Sequence, residues 1–244
     1  MLWAGKRAVA TVYLGQEEIR LAHRDTQQLV ASGLPMVQAL PLLQEALQSL
    51  GRVGLRVLLS AGWCQPFLLP PIEGVKGESE WRQVAEGLVE ELTGMPVNSR
   101  LWLDHQNGLG PLVVALHPDI EEALKPLWEK HRLASLRPWW AEVLDGHVKA
   151  ANAASTAVSA TPSQGHGVAV VDSDSVTLLL EEGERYVAAQ SYALLGEPAQ
   201  PVLARALVSH GRHLGEVSVL EMNDVSSRPT ASAPEWTPFL EGAA

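Results

Sequence analysis

The chain has 244 residues, 46% hydrophobic and 19% charged, enough length and apolar content to bury a sizeable core. Its net charge of −10, with no basic cluster to offset it, repels a phosphate backbone and excludes sequence-independent nucleic-acid binding. The single cysteine, Cys64, excludes an intramolecular disulfide. No stretch approaches the ~20 apolar residues of a membrane span, and no apolar run follows Lys6-Arg7, so the expected location is cytoplasmic.

Residues 8–14 and 18–22 are short β-rich runs on either side of Gly15 and predict a hairpin. A polar passage, 25–33, leads to an apolar segment ending at Gly51. Val37, Leu40, Leu47 and Leu50 suggest one helical face there, and Pro41 weakens the first turn. Residues 55–60 read as a buried strand, with 67–70 as its hairpin partner. The clearest helix follows: Trp81, Val84, Ala85, Leu88, Val89 and Leu92 recur at helical spacing, with Ser79 as cap and Gly94 and Pro96 as stop. Runs at 101–103 and 112–116 predict two strands around the turn pair Asn107-Gly108. A helix opens at Asp119 with Ile120, Leu124, Leu127, Trp128 and His131 on one face, and Pro126 should kink it. The segment containing Pro138-Trp139-Trp140 continues helically to residue 150.

Composition then shifts. Residues 151–166 are small and polar and read as a linker or long loop. Beyond them, 168–172, 176–181 and 186–192 predict three strands, 201–210 a helix ended by Gly211, and 217–221 a last strand. From 223 onward Ser, Ala and Pro dominate, which predicts a flexible tail. The expected organisation is a first lobe with an inserted subdomain (1–150), a linker (151–166), a second lobe (167–222) and a tail (223–244). The hairpin groups at 8–22 and 168–192 read as internal echoes.

The segment Tyr13-Leu14-Gly15-Gln16-Glu17-Glu18-Ile19-Arg20-Leu21 resembles the phosphate hairpin of actin-like, sugar-kinase-like and Hsp70-like proteins, with Gly15, Ile19 and Arg20 in register. It departs where that family does its chemistry. Tyr13 stands in place of a metal-directing Asp, and Gln16, Glu17 and Glu18 fill the positions whose amides hold phosphate, adding two carboxylates. The second hairpin keeps Asp172 but has Asp174 where the family has glycine. The resemblance implies an α/β, two-lobed actin-like (ribonuclease H-like) fold with mixed sheets and degenerate phosphate hairpins at Tyr13, Gly15, Asp172 and Asp174. The order of strands and helices from residue 5 to 222 is most similar to the PilM-like and GspL-like cytoplasmic domains of type IV pilus and type II secretion assemblies. That implies a non-enzymatic pseudo-ATPase scaffold without cofactor, at the cytoplasmic side of the inner membrane. It would bind protein subunits of a membrane-associated assembly, with a homodimer left open. The rival expectations are a sugar-kinase-type phosphotransferase using ATP and Mg, with Asp172 as its metal-organising carboxylate, and a small-molecule module using the cleft between lobes.

Other chemistry finds less support. Residues 74–79 lack the order of a phosphate loop, and no Gly-x-Ser-x-Gly elbow is present. Asp172-Ser173-Asp174 reads first as a set of turn formers. His210 and His213 lack a third ligand for zinc, and His105, His117 and His131 lie far apart in sequence. Cys64 reads as a small apolar core residue. The candidate partner-binding groups are Trp139 and Trp140, one of the pair expected to be exposed, and the apolar island Trp236, Phe239 and Leu240 in the tail.

Overall fold

A computed structural model of the chain describes residues 8–104, 110–155, 167–183 and 185–221. Three antiparallel strands come first: β1 (Val9–Leu14), β2 (Glu18–His23) and β3 (Thr26–Ser32). Helix α1 (Met36–Gln48) brings the chain back so that β4 (Gly54–Leu59) runs parallel to β1, Tyr13 opposite Leu58. An insertion follows, made of β5 (Cys64–Leu68), α2 (Glu78–Thr93), β6 (Arg100–Asp104) and β7 (Leu112–Leu116). Helix α3 (Pro118–Trp128) then leads to β8 (Arg132–Pro138), which pairs parallel with β4 and completes a sheet in the order β3-β2-β1-β4-β8. Helix α4 (Trp139–Ser155) leaves this lobe, running five residues into the stretch expected to be linker.

Two expectations are corrected here. The polar passage 25–33 contains strand β3; its first four residues are exposed at a sheet edge, so no apolar alternation marks it. Residues 67–70 are not the hairpin partner of 55–60. β5 leaves β4 altogether and pairs antiparallel with β7 in a separate sheet, order β5-β7-β6. Asn107-Gly108 lies outside the described residues.

The second lobe repeats the opening pattern. β9 (Gly167–Val171), β10 (Ser175–Glu182) and β11 (Arg185–Ala193) form an antiparallel meander, α5 (Ala199–Ser209) follows, and β12 (Val217–Glu221) pairs parallel with β9. The order β11-β10-β9-β12 is that of β3-β2-β1-β4. The echo read in the sequence is thus a repeated topology.

Local chemistry explains the helix ends. Glu80 of α2 accepts hydrogen bonds from the Lys76 and Gly77 amides (2.8 and 3.1 Å), so Gly77 takes the cap position expected of Ser79. Gly94 closes that helix at φ 71°, a conformation that suits glycine. His117 Nδ1 accepts from the Asp119 amide at the start of α3, whose helix ends at Trp128, two residues past Pro126.

Among the described residues three apolar cores hold these layers. The largest joins both faces of the first sheet, including Leu43, Leu47, Leu55, Ile120, Leu124 and Trp140, and reaches Val170, Leu179 and Ala189 of the second lobe. Val37 lies outside it, 83% exposed, because Ala39, Leu43 and Leu47 form the face of α1 that is buried. The insertion has its own core around Phe67, Trp81, Val89 and Val113. The second lobe packs α5 through Val202, Leu203, Ala206 and Leu207 onto Ala169, Val176 and Leu178.

Candidate functional site

Three turns converge where the lobes meet: Gly15–Glu17 after β1, Ser60–Trp63 after β4, and Asp172–Asp174 after β9. Parallel pairing of β1 with β4 puts the first two side by side, and the Ser60 amide donates to the Leu14 carbonyl (2.9 Å). The repeated topology puts the third turn opposite, at the end of the equivalent strand.

The first and third turns close directly on each other. Tyr13 Oη and Ser173 Oγ are hydrogen-bonded at 2.9 Å. The Gln16 amide donates to Asp174 Oδ2 at 2.6 Å. The Ala61 amide donates to Asp172 Oδ2 at 3.2 Å, tying in the second turn. Trp63 Nε1 donates to the Gly15 carbonyl at 3.1 Å, and Gln16 Nε2 to the Gly62 carbonyl at 3.3 Å. Glycine is required at position 15 by approach: a Cβ there would lie 2.9 Å from Ser173 Oγ and 3.2 Å from the Glu18 carbonyl oxygen. Beneath the turn, Tyr13 stands edge-on to Trp139 with ring centroids 6.0 Å apart.

Asp172 is 5% exposed, and its acceptor capacity is used within the protein. Oδ1 accepts from the Ser175 amide (2.8 Å), Ser175 Oγ (2.7 Å) and the Asp174 amide (3.2 Å), which fixes the turn. Burial, then the neighbouring Asp174, push its carboxyl up to about 7, against the opposing pull of Ser175 and the Ala61 amide. The Tyr13 phenol is held well above its ordinary range by burial, with Asp172 and Asp174 adding to it.

The structure therefore brings together four residues that the sequence offered as two separate hairpins: Tyr13, Gly15, Asp172 and Asp174. It also supplies partners: Ser173, read from the sequence only as a turn former, and Ala61 and Trp63, which the sequence reading did not single out. Gln16, which the sequence placed at a phosphate-amide position, gives its backbone amide to Asp174 and its side-chain Nε2 to the Gly62 carbonyl. Glu18, expected to oppose phosphate in the first turn, instead pairs with Arg20 (2.9 Å) on its own strand. The acid at the turn's amide is Asp174, from the other lobe.

These residues do not fit a Mg-nucleotide. The first-turn amide that would face a phosphate is taken by a carboxylate, Tyr13 offers a hydroxyl already bonded to Ser173, and Asp172 is ringed by amides and a hydroxyl. A cavity of about 500 Å³ lies away from the turns. It is lined by Phe67, Leu69, Pro70, Leu92, Val187 and His210, where edge strand β5 lies alongside edge strand β11.

Other sequence candidates fall as follows. Trp139 and Trp140 are each 4% exposed, so the expectation that one of them is exposed is corrected. Trp139 packs on Tyr13, and Trp140 Nε1 donates to the Cys64 carbonyl at 3.0 Å, so both sides of the start of α4 are covered. Trp236, Phe239 and Leu240 lie outside the described residues, as does His105. Cys64 is fully buried, and burial pushes its thiol far above the usual range, as suits a core residue. His117 faces Trp63 edge-on at 5.6 Å, and His210 Nε2 lies 3.4 Å from Tyr192 Oη. Among the described residues no group of three His, Cys, Asp or Glu side chains is placed to hold a metal ion, and no helix is long and apolar enough to cross a membrane.

No protein-family model and no curated protein sequence matches the chain. Its fold does match solved structures. A Bacteroides thetaiotaomicron protein with an actin-like ATPase fold and unknown function aligns with a TM-score of 0.52 and 9% identity, over 93% of this chain and 87% of that one. The cytoplasmic domain of EpsL, an inner membrane component of the type II secretion system of Vibrio cholerae, aligns with a TM-score of 0.53 and 14% identity, over 94% and 86%. The chain has the actin-like fold.

Proposed function

We propose that this chain is a non-enzymatic actin-like scaffold that uses no nucleotide, metal or other cofactor. It binds protein subunits of a membrane-associated machine of the secretion or pilus kind, from the cytoplasmic side of the inner membrane. One observation carries the reading: the two hairpin turns are each other's ligands. In a phosphate-binding turn, exposed N–H groups await an anion. Here the Gln16 amide already has one, the Asp174 carboxylate, built into the opposite lobe. An internal anion at that place holds the lobes together in the way a bound ligand would, without depending on ligand concentration. The likeness in fold to the cytoplasmic domain of EpsL supports the choice of machine.

Titration of the pure protein with Mg-ATP, by calorimetry and by thermal shift, tests this. The expected result is no saturable heat and an unmoved melting temperature at 1 mM nucleotide. Binding with Kd of ~10 µM or tighter would stabilise the fold by about 2.7 kcal/mol at that concentration. Such a shift would overturn the scaffold reading in favour of the phosphotransferase.

A further inference from the structure

Among the described residues the second sheet has one strand fewer than the first. In the first lobe, β4 is followed outward by β8, parallel to it, and all of β4 except Arg56 is fully buried beneath its neighbours. In the second lobe the equivalent strand, β12, has no neighbour on its outer side among the described residues: the sheet stops at β12. Ser218, Val219 and Glu221 are exposed, Val219 by 44%, and only Val217 and Leu220 are half-buried against the cores. The edge is regular, paired with β9 from Val217 to Glu221 without a bulge. It carries none of the usual protection in its middle, since Val217, Ser218, Val219 and Leu220 are uncharged and none is proline.

We propose that the outer edge of β12 is a docking site for an extended segment of a partner protein. The segment adds parallel to β12 as a fifth strand and completes the second sheet as β8 completes the first. Two observations define its chemistry. Val217, Val219 and Leu220 ask for apolar or β-branched side chains along the strand. Glu216, just before the edge, is already paired with Arg212 (3.4 Å); Glu221, at its far end, in a chain of net charge −10, asks for a basic residue there. β8, which occupies the matching place, has that character: Arg132-Leu-Ala-Ser-Leu136-Arg137 carries an arginine near each end and leucines between. Main-chain hydrogen bonds along the edge would supply affinity and the alternate side chains selectivity.

The inference extends the scaffold reading by giving it a docking edge, and its test does not involve nucleotide, so the two can fail separately. The probe is a fluorescent synthetic peptide of residues 130–138 of this chain, titrated into the full-length protein by anisotropy. Saturable micromolar binding is expected. Val219→Lys and Ser218→Lys, each placing a charge on the open edge, should weaken it at least tenfold, while Leu29→Lys on the β3 edge should change it less than twofold. Thermal melts of the variants check that the fold is kept, which the exposure of these positions favours. Absence of saturable binding, or equal losses from Leu29→Lys and Val219→Lys, would overturn the proposal. So would a concentration-dependent dimer abolished by Val219→Lys, which would make a second copy the occupant.

Discussion

Replacing Asp172 by Asn should remove a pH dependence that runs opposite to that of most carboxylates. An Asp ordinarily titrates near 3.9. In this fold, burial first and Asp174 second push Asp172 to about 7. The folded chain therefore holds this proton more tightly than the unfolded chain does. Stability from the group is fully present below the ordinary value and is lost as pH rises through 7. A displacement of about three pH units corresponds to about 4 kcal/mol over the whole window. Asn keeps an oxygen for the Ser175 and Asp174 amides but carries no titratable proton. It places an amide group opposite the Ala61 N–H, so a constant loss of about 1–3 kcal/mol is expected at every pH. Urea unfolding of both proteins in half-unit steps from about pH 5 to 8 gives the difference curve. It should fall by about 1.4 kcal/mol per unit up to pH 7 and flatten above it. A difference curve that is level across this range would refute the assignment of a buried, acid-crowded carboxyl at the lobe junction.

The hydrogen bond between the lobes can be weighed by a double-mutant cycle of Tyr13→Phe and Ser173→Ala; a coupling near 1 kcal/mol in urea unfolding is expected, and strictly additive losses would exclude a bond that matters. Gly15→Ala should cost about 1–3 kcal/mol because the new methyl meets Ser173 Oγ and the Glu18 carbonyl. Adding Ser173→Gly should recover part of that loss, and a melting curve that shows no recovery would count against the close approach. Glu142 pairs with Arg56 (2.6 Å) and Arg137 (2.9 Å) between sheet and α4, and Arg137 also pairs with Asp145 (2.6 Å), with little of Glu142 or either arginine exposed. Glu142→Ala should therefore destabilise by about 3 kcal/mol by stranding Arg56 and leaving Arg137 with Asp145 alone, whereas converting Glu142, Arg56 and Arg137 together to Met should cost much less. Chemical denaturation of the two variants decides between these outcomes.

Elements with a buried apolar face were legible in the sequence, because burial imposes a period. The α2 stripe from Trp81 to Leu92 and the fully buried run of β7 are examples. Strand β3 was not, since an exposed edge relaxes the alternation that would reveal it. The route of β5 was also hidden: proximity in sequence favours pairing with β4, but the apolar face made by Trp81, Ala85 and Val89 captures it in the insertion. Trp139 and Trp140 misled for a related reason. Helical spacing predicts one buried and one exposed residue for a helix on a surface, and α4 starts between β1 and β5, where neither side faces water. At the candidate site, the unusual residues could be named from sequence, but their pairing could not. The contact of Gln16 with Asp174 joins a main-chain amide to a side chain 158 positions away, and only the completed topology brings them within 2.6 Å.

That separation also sets an order of events during synthesis. Tyr13 emerges from the ribosome 160 residues before the serine that binds its hydroxyl. At typical elongation rates this is about 8–32 s, long compared with the folding of a small domain. The first sheet is complete once β8 is made, at Pro138. The nascent chain then holds a complete first sheet whose Gln16 and Ala61 amides gain their carboxylate partners only when Asp172–Asp174 appears. Closure of the junction therefore awaits the second lobe, whose own sheet is finished only with β12, at Glu221.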